Sequence, residues 1–109
     1  MNKIIFIILI IFIFSTHANA AEVVGTGKIT YVENGWYGEG LVLHFSVGID
    51  GCSAQNNDFA IDVNHPSYKE LVSMALTAFS SSSDVQLIVE KGTCLFGKRT
   101  KVLSIRLIE

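Results

Sequence analysis

The chain has 109 residues, 50% of them hydrophobic and 17% charged, with eight Lys or Arg, ten Asp or Glu and one proline. Hydrophobicity this high with so little charge excludes a disordered polypeptide, and the length allows one domain at most. The formal net charge of −2 gives no electrostatic basis for binding polyanions, so nucleic acid is not an expected partner.

Residues 1–20 read MNKIIFIILIIFIFSTHANA and have the layout of an export signal. Lys3 is the positive start, Ile4 to Phe14 are uninterruptedly apolar, and Ala18-Asn19-Ala20 is a small-residue cleavage site. As a helix the apolar run would rise only about 16 Å, against roughly 30 Å of bilayer hydrocarbon, so a retained anchor is the weaker alternative. No cysteine follows the cleavage region to take a lipid. The expectation is a Sec-type signal peptide over 1–20, a periplasmic or secreted product, and a single domain over 21–109. No later apolar run reaches membrane-spanning length.

A domain this small buries a limited core, and export permits a covalent staple. Cys52 and Cys94 allow one intrachain pairing. Closing a loop of about 43 residues would stabilise the fold by about 4 kcal/mol in the chain-entropy model. The rival readings are a free thiol pair or a metal site, and neither His44 nor His65 has ligand spacing with either cysteine. No metal and no cofactor is expected.

Alternation at period two dominates the rest. Val23 to Glu33 is rich in β-branched residues and runs into Asn34-Gly35, which predicts a first strand and a type I′ hairpin turn. Leu41, Leu43, Phe45, Val47 and Ile49 then alternate with Val42, His44, Ser46 and Gly48 as a second strand. A polar run from Ser53 to Asp58 follows, and Phe59, Ile61 and Val63 predict a third strand.

The period changes after Pro66. Tyr68, Leu71, Val72, Ala75, Leu76 and Phe79 form one stripe of a helix, Ser67 and Glu70 have capping-box spacing, and the serines of 80–83 end it. Val85, Leu87 and Val89 begin a fourth strand, 91–101 reads as a loop holding Cys94, and Leu103, Ile105 and Leu107 make a fifth. The expected fold is mainly β with one helix, in the order β-β-β-α-β-β. That is the layout of an OB-fold barrel, and the alternative is an open antiparallel α+β sheet with one packed helix. Closure is the favoured form because it removes exposed sheet edges.

The two cysteines, the stretch FAIDVNHPSYKELVSMALTAFSSSSDVQLIVEKGTC and the terminal VLSIRLIE resemble the B subunits of bacterial AB5 toxins of the subtilase-cytotoxin and pertussis-like group. The resemblance extends from Gly27 to Leu107. It implies an OB-fold, a pentameric ring with helices toward the pore, host glycans as ligands and a toxin A subunit as partner. It transfers no sugar-contacting residue.

No nucleophile, base and orienting group fall into a catalytic pattern; Asp62, Glu70 and Asp84 are scattered, and no enzyme or catalytic residue is expected. Binding is the better prospect. Asn34-Gly35-Trp36-Tyr37-Gly38-Glu39-Gly40 puts adjacent aromatics in a glycine-rich turn. Trp36 or Tyr37 suits stacking on a sugar, with Asn34 or Glu39 as hydrogen-bonding partners; the plain alternative has Trp36 packed over the barrel mouth. The 91–101 loop carries Lys91, Lys98, Arg99 and Lys101, and Lys98 and Arg99 suit a carboxylate or phosphate, or else form a solvated turn. Ser73, Met74 and Thr77 lie on an uncharged helix side that suits either close approach of a second copy or plain exposure. Two functions follow as expectations: an exported, non-enzymatic, glycan-binding and ring-forming module, or a monomeric periplasmic interaction or inhibitor protein acting through its loops.

Overall fold

A computed structural model describes residues 21–52 and 56–109; the expected signal peptide and residues 53–55 of the loop after Cys52 lie outside it. The described chain forms β1 (Ala21–Gly27), β2 (Ile29–Asn34), β3 (Gly40–Phe45), β4 (Asp58–Asp62), α1 (Tyr68–Ser81), β5 (Val85–Leu95) and β6 (Arg99–Leu107). The strands make one sheet in the order β1-β5-β6-β4-β3-β2. Over the described residues the fold is therefore mainly β with one helix, an α+β arrangement as expected in outline. The hydrogen-bonded ladder is not a closed barrel, because β1 and β2 are its two ends.

Those ends are consecutive in the chain. The expected single first strand divides at Lys28, with β1 pairing antiparallel to β5 and β2 antiparallel to β3. Lys28 fixes the joint: its amide donates to Ser46 Oγ across 2.8 Å, and its carbonyl accepts the Ser46 N–H across 2.9 Å. Its ammonium donates to the Ser82 carbonyl at 2.6 Å and pairs with Asp84 at 2.9 Å, just past the helix C-terminus. Charge of this sign complements that end of the helix dipole.

The sheet is also mixed, which corrects the antiparallel expectation. Phe59 and Ala60 of β4 pair parallel to Thr100 and Lys101 of β6. A parallel pair needs a long crossover, and here α1 and β5 supply it.

The core lies between the sheet and the helix. Leu43, Phe45, Phe59, Ile61, Val85, Leu87, Val89 and Val102 have no exposed surface. The Phe45 and Phe59 rings meet edge to face with centroids 6.2 Å apart. Leu71, Ala75 and Ala78 face this core from α1, with Tyr68, Val72 and Met74 half-buried beside them. The buried stripe is turned toward Ala78 and Met74 relative to the one expected, so Leu76 and Phe79 stand 44% and 40% exposed. Ala75 and Ala78 occupy the centre of the contact, and the larger Leu76 and Phe79 stand to its side. Met74 accordingly belongs to the core side, while Ser73 and Thr77 are exposed.

Both helix ends are built from neighbours. Ser67 makes no side-chain cap hydrogen bond, so the capping box with Glu70 does not form. Instead His65 Nδ1 accepts the Ser67 N–H at 2.9 Å. At the other end Ser82 adopts φ 51°, and the Ser82 and Ser83 amides return to the carbonyls of Phe79 and Ala78. That is the paired arrangement by which a left-handed residue closes a helix.

The expected 91–101 loop is largely strand. β5 and β6 pair across it except for a bulge, since Glu90 faces Lys101 and the next pair is Cys94 with Thr100. Gly92, at φ 86°, bends the bulge, and Cys94 is bonded to Cys52 with 5.4 Å between the Cα atoms. Lys91 adds an ion pair with Asp50 at 3.1 Å. The disulfide thus ties β5 to the segment that follows β3. No helix among the described residues is long and apolar enough to cross a membrane.

Candidate functional site

Two turns meet on one side of the sheet. The β2–β3 connection runs over residues 35–39, longer than the two-residue type I′ turn expected at Asn34-Gly35. The Gly35 N–H donates to the Gly40 carbonyl at 2.6 Å and the Gly38 N–H to the Gly35 carbonyl at 3.2 Å. The positive φ falls at Gly38 (78°), and a Cβ at Gly35 would overlap the Glu39 carboxylate. A side chain at Gly35 would displace the Glu39 carboxylate from its bond to the Tyr37 amide, and no left-handed backbone is required there.

Between this turn and the β5–β6 turn lies a cleft of about 280 Å³. Trp36, Tyr37, Asn34, Glu33 and Glu39 line it from the first hairpin, and Phe96, Gly97 and Arg99 from the second, with Val42 also contributing. Val42 lies across from Ala60, and both are buried, although they alternate with the core residues of their strands. The lining of the cleft shows Phe96 and Arg99 folded toward that side of β3.

Trp36 and Tyr37 are 82% and 89% exposed, so neither is packed over an opening of the sheet. The Trp36 side chain is nonetheless anchored, and Tyr37 is held through its backbone. The Trp36 indole N–H donates to Glu33 Oε2 at 3.2 Å, and the Tyr37 backbone N–H donates to Glu39 Oε1 at 3.1 Å. Glu33 also acts on the Tyr31 phenol, and hydrogen bonding to it, ahead of desolvation and its negative charge, holds the Tyr31 pKa above the ordinary tyrosine value. One carboxylate thereby holds two exposed aromatic side chains, Tyr31 and Trp36.

Arg99 Nη1 donates to the Phe96 carbonyl at 3.0 Å, and its Nε is buried without a hydrogen-bond partner among the described residues. Lys98, at φ 59°, is exposed in the turn and lies outside the cleft lining. Of the residues expected from sequence to form the site, Asn34, Trp36, Tyr37 and Arg99 are brought together, and Lys98 is not among them. Glu33, Val42 and Phe96 were not foreseen. For Glu33 the available signal is its position three residues before Trp36 and two after Tyr31 on one strand.

A second cleft of about 370 Å³ is lined by Asp62, Asn64, His65, Pro66, Lys101 and Leu103. His65 Nε2 lies 3.1 Å from the Leu103 carbonyl. Because Nδ1 accepts the Ser67 amide, Nε2 carries the proton and donates to Leu103, which fixes a neutral tautomer. This histidine is occupied in joining the helix start to β6. His44 Nδ1 and Asp58 Oδ1 are 2.7 Å apart across β3 and β4, beside Tyr31, which faces His44 on β2.

No family model, curated protein or solved structure matches this chain. The class that fold and cleft define is a disulfide-linked α+β domain with anchored aromatics beside charged side chains.

Proposed function

We propose that the protein is an exported, non-enzymatic binding module whose cleft between the β2–β3 and β5–β6 turns receives a sugar ring. The observation that carries this reading is the pair Trp36 and Tyr37, both strongly exposed, with the Trp36 indole held by Glu33 and the Tyr37 backbone held by Glu39. Exposed aromatic surface beside convergent polar groups suits the mixed apolar and hydroxyl faces of a carbohydrate. Preorganised side chains lose less freedom on binding.

The same reading takes the fold as OB-type. Its support is the single bent segment that supplies both ends of the ladder, the parallel β4–β6 pair and the helix between β4 and β5. Export is supported by the signal-like residues 1–20 and is compatible with the Cys52–Cys94 bond. Assembly into a ring, with a toxin A subunit as a further partner, belongs to the same proposal; exposed Leu76 and Phe79 beside uncharged Ser73 and Thr77 give it a contact surface.

The test is a glycan array read with the native chain and with Trp36→Ala and Arg99→Ala. Sugar binding lost or reduced in the variants is the expected result, and binding unchanged in both removes the cleft from the proposal. Native mass separates a ring from the monomeric interaction protein: a concentration-independent monomer excludes the ring.

A further inference from the structure

We infer that this cleft selects uncharged, hydroxyl-rich sugars over acidic ones, an inference that rests on the carbohydrate reading above. Three charged side chains line it: Glu33 and Glu39 on the first hairpin and Arg99 on the second. The balance is one negative charge in excess. The basic cluster visible in the sequence does not offset it, because Lys98 is outside the lining and Lys91 and Lys101 pair with Asp50 and Glu90.

The one cation is poorly placed to seize a carboxylate. A guanidinium grips a carboxylate with two parallel N–H groups, either its two terminal nitrogens or Nε with one of them. At Arg99 the first fork is compromised by the Nη1 bond to Phe96, and the second by the burial of Nε. The terminal N–H groups left beside the Nη1–Phe96 bond each suit a hydroxyl or ring oxygen.

The two glutamates have the opposite preference. Ionised carboxylates only accept hydrogen bonds, and each has about four acceptor sites. Glu33 gives some to Trp36 and Tyr31, and Glu39 gives one to Tyr37. The sites left over are satisfied by sugar hydroxyls, which donate. An acidic sugar brings further acceptors and a like charge, and specificity arises from that mismatch as much as from favourable contacts.

The experiment is an array of matched glycan pairs that differ only in a terminal sialic acid, followed by titration of the best pair using the fluorescence of Trp36, the chain's one tryptophan. The neutral member is expected to bind roughly tenfold more tightly at low salt, with the gap narrowing as ionic strength rises. Glu39→Gln, which keeps a carbonyl for the Tyr37 amide, is expected to narrow the gap with an unchanged melting temperature. Equal or tighter binding of the sialylated members, or a gap indifferent to both salt and Glu39→Gln, overturns the charge selection and leaves the carbohydrate reading standing. Absence of binding to every member of the array overturns both.

Discussion

The Trp36 indole reaches back across the start of its own hairpin to hydrogen-bond Glu33, the residue before the last of β2. The same carboxylate takes the Tyr31 phenol from two positions earlier. Residues two apart on a strand share a face, and a side chain three residues further on returns to it only because the turn bends there. Glu33 is thus a positioning residue for both aromatics.

Replacing it tests that role. In Glu33→Gln the Tyr31 phenol should titrate closer to the ordinary value of 10.0, read as the 295 nm absorbance lost in a Tyr31→Phe control. The sign for stability follows from linkage: the folded state holds this proton more tightly, so the contribution is complete below pH 10.0 and declines as pH rises through the folded pKa. Trp36 fluorescence anisotropy should fall in the same variant. A Tyr31 titration that stays put shows that the hydrogen bond is not what raises it.

His65 and Ser67 make a contrasting pair at the helix start. His65→Ala leaves the Ser67 N–H and the Leu103 carbonyl without their partner, and should cost about 1–3 kcal/mol in urea denaturation. Ser67→Ala should cost less than about 0.5 kcal/mol, although N-cap serines commonly contribute about 1, because this serine makes no cap bond. Equal losses would restore the capping box.

The helix offers a second contrast. Phe45→Ala, at a position with no exposed surface, should destabilise by about 3–5 kcal/mol. Phe79→Ala and Leu76→Ala, at 40% and 44% exposure, should each cost about 1 kcal/mol or less by the same measurement. A large loss at Phe79 would mean that the stripe read from periodicity is the buried one.

Removing the disulfide with Cys52→Ser and Cys94→Ser should lower stability by about 4 kcal/mol if chain entropy governs. Its ends hold the β5 bulge and the segment after β3, away from the lining of the aromatic cleft. Sugar binding under conditions where the double variant is still folded should therefore match the native chain. A selective loss of binding would place the bond in the site.

Much of this was legible in the residues because it is local. The alternation of Leu41, Leu43 and Phe45, the period change at Pro66 and the aromatic turn all depend on neighbours in sequence, and the distant pairing of Cys52 with Cys94 was legible because two cysteines allow only one. What escaped depends on distant ones. Val42 and Ala60 alternate as outward residues and are buried, with Phe96 and Arg99 brought against that side from more than thirty positions away in sequence. The helix stripe missed its centre because hydrophobicity alone ranks Leu76 and Phe79 above Ala78, which packing buries. The parallel β4–β6 pair joins segments separated by a helix and a strand. In the candidate site, composition pointed to Lys98 and Arg99 together, and the left-handed backbone at Lys98 sets it apart from the lining.

Lys28 stands between two ladders that are counted outward from it, β1 against β5 and β2 against β3. Since side chains alternate faces, one residue inserted beside it would invert every side chain of one strand relative to the other. Either Val32 would leave the core side or Val24 would, and the surviving ladder would decide which. The joint is where the chain tolerates substitution of its side chain far better than a change in its length.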